Sequence, residues 1–149
     1  MKIVFAAFIG WFTLSMNHFP ANKSNKPTCG NLILRAGAPL TKTHWKLVQL
    51  SNVPVPVNKA ANEMYIVFKD DGTVSGNGGC NNFSGTYLVG KNNEISFGNM
   101  VRTNILCPEI NFEEKYLNAL AKADHYMIIE DTLSLQRQFI SVAKFVAVN

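Results

Sequence analysis

The 149-residue sequence predicts an antiparallel α+β domain with a single helix. Three observations predict it. Short segments with an apolar period of two recur from residue 43 to the C-terminus, joined by links of hairpin length. One stretch, residues 108–123, carries a helical period. The helix stands between groups of strands, which is not the strand–helix alternation of a parallel βαβ sheet.

The chain opens with "MKIVFAAFIGWFTLSM", in which Lys2 precedes an uncharged apolar run from Ile3 to Met16. That length suits the apolar region of a secretory signal and falls short of the roughly 20 residues a spanning helix needs. No A-x-A site follows, only Ala21 after Phe19, so an uncleaved anchor stands beside a cleaved signal. Cys29, in "KPTC", lies far from the apolar run and does not resemble a lipidation site. Residues 1–21 are therefore expected to be a secretory signal or N-terminal anchor. Residues 22–42 read as a linker, with "NLIL" at 31–34 an optional edge strand, and 43–149 as the folded domain.

Within the domain, "HWKLVQL" alternates Trp45, Leu47 and Gln49 against His44, Lys46 and Val48, a strand. "VPVPV" at 53–57 has two prolines and reads as a loop or frayed edge. In "EMYIVFK" at 63–69, Met64, Ile66 and Phe68 take one face and Tyr65 and Val67 the other; two apolar faces suit a central strand. "DDG" at 70–72 turns the chain into "TVSG". "TYLVG", "KNN" and "EISFG" form a second hairpin. The helix is expected from Pro108 to Ala123, with Pro108 at its first position or Asn111 and Glu114 as a capping box one turn later. Phe112, Tyr116, Leu117, Leu120 and Ala123 make its apolar stripe, with Glu113, Lys115, Asn118 and Lys122 expected opposite. Then "YMII" turns through "ED" into "TLSLQ", and "KFVAV" ends the chain; the turn near Arg137–Gln138 has no clear chemistry.

Composition bounds the function. With 47% hydrophobic and 16% charged residues the chain can pack a core and is not disordered. Its net charge of +4 comes from scattered lysines without a basic run, so no nucleic-acid partner is expected. A mild affinity for acidic partners or anionic membrane remains.

"SGNGGCNNFSGTY", residues 75–87, invites three readings. A phosphate loop would need glycine where Asn81 stands, a following Lys-Ser/Thr, or a helix next in the chain. A catalytic thiol at Cys80 would need a base, and His18, His44 and His125 stand alone. No C-x-x-C or other zinc spacing is present, and Glu109, Glu113 and Glu114 read as first-turn helix charges. No cofactor, metal or catalytic set is therefore expected. The third reading is a bend with a staple. If the chain is exported, its cysteines can oxidise. With Cys29 in the tail, Cys80 and Cys107 are the natural pair, tying the Gly-rich bend to the helix entrance. Closing that loop is worth about 3–4 kcal/mol in chain-entropy models.

Several stretches together carry a resemblance: Trp45 opening a strand, "DGTVSGNGGCNNFSGTY" (71–87), "ISFGNMVRTNILCP" (95–108), "EEKYLNAL" (113–120) and "DTLSLQ" (131–136). The motif G-C-N-x-F-x-G-x-Y is present as Gly79, Cys80, Asn81, Phe83, Gly85 and Tyr87, and T-x-x-x-C as Thr103 and Cys107. Over about residues 43–148 the chain resembles the META domain, the HslJ-like family of bacterial envelope proteins. The resemblance implies a curled, half-barrel-like antiparallel sheet packed on one α-helix. It also implies an exported protein of the periplasm or cell envelope, with links to heat shock, drug tolerance and motility-associated virulence and no established activity or ligand. Trp45, Gly79, Asn81, Phe83, Gly85, Tyr87 and Thr103 are then structural. "QRQFISVAK" replaces the family's D-x-x-G turn before the last strand, leaving that hairpin's register open. The expectation is a non-enzymatic envelope module acting through contacts with unidentified envelope proteins. A hydrophobic-ligand or lipid carrier, motivated by strand 63–69, is the alternative, and a thiol enzyme using Cys80 a third reading.

Overall fold

A computed structural model of the chain describes residues 37–55, 62–107 and 110–148. The segment expected to be a signal or anchor, His18, Cys29, "NLIL", the second half of "VPVPV", Pro108 and Glu109 lie outside the described residues.

The described residues form, in order, strands β1 (His44–Leu50), β2 (Val53–Pro54), β3 (Tyr65–Phe68), β4 (Thr73–Asn77), β5 (Asn82–Val89) and β6 (Ile95–Arg102). Helix α1 (Ile110–Lys122) follows, and then β7 (His125–Ile129), β8 (Thr132–Arg137) and β9 (Ile140–Val148). The strands make one sheet in the order β6-β5-β4-β3-β1-β9-β8-β7, with β2 paired on β1. Every pairing between them is antiparallel. The sheet curls until its two end strands touch at one corner. There Glu94 bridges His125, and the Ile95 N–H donates to the Asp124 carbonyl at 2.9 Å. The curl is not closed into a barrel. Helix α1 packs against β1, β9 and β6, strands from both halves of the sheet order, and so lies across the curl. This is the α+β class expected, with the helix on a curled antiparallel sheet.

Alternation explains the core. Trp45 and Leu47 of β1, Ile66 and Phe68 of β3, Val74 of β4, and Phe83 and Tyr87 of β5 point inward from one half of the sheet. Leu133 and Leu135 of β8 and Ala143 and Phe145 of β9 do so from the other. Edge-to-face ring contacts join them, Phe68 to Tyr87 at 5.0 Å and Phe83 to Tyr116 of α1 at 5.7 Å. Strand 63–69 is central as expected. Met64, Ile66 and Phe68 fill the core, and Tyr65 on its second face stacks on His44 at 4.3 Å.

Turn chemistry sets most hairpins. Gly72, at φ +78°, closes the "DDG" turn, where Asp71 Oδ1 accepts from the Thr73 N–H and hydroxyl. The β1–β2 hairpin turns through Ser51 and Asn52, both at positive φ, and places Pro54 on a strand paired only with β1. The hairpin left open by the sequence pairs Arg137 with Ile140 and turns through Gln138 and Phe139, at φ +49° and +65°. A bulky residue rarely adopts such a backbone. Asp124 holds it by accepting from the Gln138 N–H at 2.9 Å, and the Phe139 ring lies 4.8 Å from that of His125.

The helix face differs from the expected stripe at one position. Tyr116, Leu120 and Ala123 are buried, joined by Ala119, while Phe112 and Leu117 sit half-buried at the margins. Glu113, expected on the solvent side, is buried. It stands three residues before Tyr116 and seven before Leu120, which places it on the inward face. Tyr116 is wholly buried, and its hydroxyl has no hydrogen-bond partner among the described residues.

Candidate functional site

Between β4 and β5 the chain reverses through Gly78, Gly79, Cys80 and Asn81. Asn77 shapes the turn: its Oδ1 accepts from the Gly79 N–H at 2.7 Å, and its Nδ2 donates to Asn82 Oδ1 at 2.9 Å. The Gly78 N–H donates to the Asn81 carbonyl at 2.8 Å. Gly79 has φ +98°, a backbone glycine adopts without strain. Gly78 is constrained from outside, since a Cβ there would lie 2.6 Å from Glu113 Cγ.

Glu113, only 1% exposed, reaches from the first turn of α1 into this bend. Its Oε2 accepts from the Asn81 backbone N–H at 2.7 Å. Its Oε1 accepts from Asn81 Nδ2 at 3.0 Å and Arg102 Nη1 at 2.6 Å. Burial pushes the carboxyl up, but the Asn81 and Arg102 donors outweigh it and hold Glu113 below the usual range. The rest of Asn81 is also engaged. Its Oδ1 accepts from Thr103 Oγ1 and the Ile105 N–H, each at 2.7 Å, and Nδ2 also donates to the Ile105 carbonyl at 3.1 Å. An amide has two N–H donors and one carbonyl acceptor, and all are used here. Beside the network Cys80 and Cys107 are disulfide-bonded, with a Cα–Cα distance of 6.2 Å.

The structure thus gathers Gly79, Cys80, Asn81, Thr103 and Cys107 into one cluster. The other motif residues support the sheet. Trp45 is fully buried, and its Nε1 donates to the Leu40 carbonyl at 2.9 Å. Phe83 packs on Tyr116. Gly85 sits at the register shift between β5 and its neighbour β6, where a Cβ would collide with Met100 Sδ. The Tyr87 hydroxyl donates to the Lys69 carbonyl at 2.8 Å. The Asn77-Gly78 pair turns the chain as its sequence suggests. Sequence reasoning missed Glu113 and Arg102, and nothing in the text separates Glu113 from Glu109 and Glu114. The lone histidines have local partners: His44 meets Glu63 and His125 meets Asp124, each at 2.8 Å. Among the described residues no group of three His, Cys, Asp or Glu side chains could hold a metal ion, and no helix is long and apolar enough to cross a membrane.

The META domain family model matches residues 38–148. The chain belongs to the META domain family. Its start at residue 38 coincides with a segment tied to the sheet. The Ala38 N–H donates to the Glu130 carbonyl and the Lys42 N–H to the Phe68 carbonyl, each at 2.9 Å. This META domain is similar to the NMR structure of a protein from Burkholderia xenovorans, with 24% identity over 76% of this chain and 94% of that one and a TM-score of 0.60. It is also similar to the crystal structure of a DUF4847 family protein from Bacteroides vulgatus, with 19% identity over 74% of this chain and 94% of that one and a TM-score of 0.56. At these identities the likeness concerns the fold. No curated protein matches the chain.

A second feature of the META domain lies apart from the cluster. A groove of about 490 Å³ lies between one flank of α1 and the ends of β1 and β9. Leu50, Phe112 and Val142 are among its apolar walls, and Lys115, Lys122 and Arg137 also line it.

Proposed function

We propose that this META domain is a non-enzymatic module exported to the periplasm or cell envelope, where it supports envelope maintenance and tolerance of stress or drugs through contacts with other envelope proteins. The observation that carries the reading is how the chemistry-bearing residues are spent. Cys80 is bonded to Cys107, and Glu113, Arg102 and Asn81 hold one another and the backbone of Ile105. Such groups fix a fold; they are not presented to a substrate. The apolar leader and a disulfide, which persists in oxidising compartments, support export. Mass spectrometry of the mature protein from its own envelope, without reduction, tests export and staple together. The expected mass is that of a chain cut after its leader and lacking two hydrogens. A reduced, cytosolic protein with a reactive Cys80 thiol would overturn the reading in favour of a thiol enzyme. A deletion strain with unchanged envelope integrity and drug sensitivity would remove the envelope role.

A further inference from the structure

The groove beside α1 combines three properties. Its volume of about 490 Å³ falls within the range of small-molecule sites. Its lining has an apolar part, which includes Leu50 of β1, Phe112 of α1 and Val142 of β9. Its charged groups are all cations. Lys115 and Lys122, seven residues apart on α1, stand about 10 Å apart along one side. Arg137, at the end of β8, lines it from the sheet. Among the described residues none of the three has a carboxylate within ion-pair distance. Two nearby acids are engaged elsewhere, Glu113 with Arg102 and Asn81, and Asp124 with His125 and the Gln138 N–H. Glu114 lies on the other flank of α1, beside Met100, Leu117 and Ala121, and does not line the groove. Lysine and arginine stems extend apolar walls while their heads stay in water. A ligand that satisfies this site has an apolar body and an anionic end.

From this charge complementarity we infer that the groove binds a single-chain amphiphile with an anionic head group. The tail lies on Leu50, Phe112 and Val142, and the head meets the cations at the rim. The concave shape accepts one chain, which a flat bilayer surface would not supply. Strand 63–69, whose side chains fill the core, takes no part. The contact role proposed above does not depend on this site, so either can fail alone.

The test uses the full, oxidised chain and dodecanoate as probe, below its micellar concentration. Dodecyltrimethylammonium and dodecyl maltoside serve as cationic and neutral controls with a tail one carbon longer. Calorimetry and native mass spectrometry are expected to show one dodecanoate per chain, bound at least tenfold more tightly than either control and more weakly as salt rises. The double variant Lys122→Glu, Arg137→Glu should weaken dodecanoate at least tenfold, with only a small fall in urea midpoint from the anion placed at the helix C-terminus. Asn118→Trp, which fills the groove from an exposed helix position, should abolish binding of all three probes. Equal affinity for the three head groups would overturn the inference, as would either variant binding dodecanoate like the parent. Binding to anionic phospholipid vesicles without binding of monomeric dodecanoate would also overturn it, assigning the cations to a membrane surface.

Discussion

Replacing Glu113 by Gln keeps the shape of the side chain and changes only its donors and charge. The carboxylate accepts on both oxygens: Oε2 from the Asn81 backbone N–H, Oε1 from Asn81 Nδ2 and Arg102 Nη1. A glutamine has one oxygen to offer. Set at the Oε1 position, it leaves its NH2 group facing the buried Asn81 N–H, donor against donor. Set the other way, it opposes Arg102 and the Asn81 amide. Either orientation strands at least one buried donor, which costs about 1–3 kcal/mol. The charge-assisted bond to Arg102 is also weakened. That loss is discounted because the Arg102 side chain is 31% exposed and can turn to water. Together these put Glu113→Gln at about 2–4 kcal/mol, or a fall of about 8–16 °C in Tm for a domain this size. Arg102→Gln leaves both Asn81 bonds to Glu113 intact but takes the cation from a buried carboxylate, and should cost about 1.5–2 kcal/mol, the lower part of the range for a bond to a charged group because the Arg102 side chain is 31% exposed. Urea unfolding of the oxidised proteins, read as midpoint and slope, measures both. A Glu113→Gln protein within about 0.5 kcal/mol of the parent, or an Arg102→Gln protein equally damaged, would refute the claim that the Asn81 bonds carry this network.

The same carboxylate gives the domain an acid limit. Glu113 is held below its ordinary value when folded, so its contribution is full above the unfolded value of about 4.3 and is lost as pH falls through the lower folded one. Stability measured from pH 6 downward should fall less steeply for Glu113→Gln than for the parent, and parallel curves would contradict this. Replacing Cys80 and Cys107 together by Ala should cost about 3–4 kcal/mol, checked by denaturation against the oxidised parent; no loss would mean the native contacts alone hold the bend. Phe139→Gly should stabilise by about 1 kcal/mol by relieving the φ of +65°, and a drop in midpoint would show that packing on His125 outweighs the strain. Tyr116→Phe removes a buried hydroxyl with no partner and should be neutral or stabilising by about 1 kcal/mol; a clear loss would reveal a hydrogen bond made there in solution.

Features governed by neighbouring residues were legible in the text. The "DDG" and "ED" turns, the alternation of Met64, Ile66 and Phe68, and the demotion of Val53–Pro54 to an edge follow from local chemistry, and the structure keeps them. The Gln138–Phe139 turn was illegible because neither residue favours positive φ. Its stabilising group, Asp124, lies 14 residues earlier in the chain. Glu113 was misplaced for a related reason. Clustered acids at a helix start match the macrodipole whether or not one of them is buried, and Asn81, 32 residues away, decides which one is. The groove was invisible because its wall comes from separate strands and a helix, with no period along the sequence.

The amide of Asn81 also bears on which cysteines find each other. Any two of the chain's three could join, and random encounter hardly chooses between them. Cys80 is 27 positions from Cys107 and 51 from Cys29. That near-doubling of the loop changes its closure by only about 0.6 kcal/mol. Asn81 follows Cys80 directly and grips both the N–H and the carbonyl of Ile105, two residues short of Cys107. Once those bonds form, the two sulfurs are held as neighbours at an effective concentration that Cys29 cannot match. The side-chain amide and the crosslink thus join the same two segments, and the pairing found in the fold is the one the hydrogen bonds of Asn81 favour.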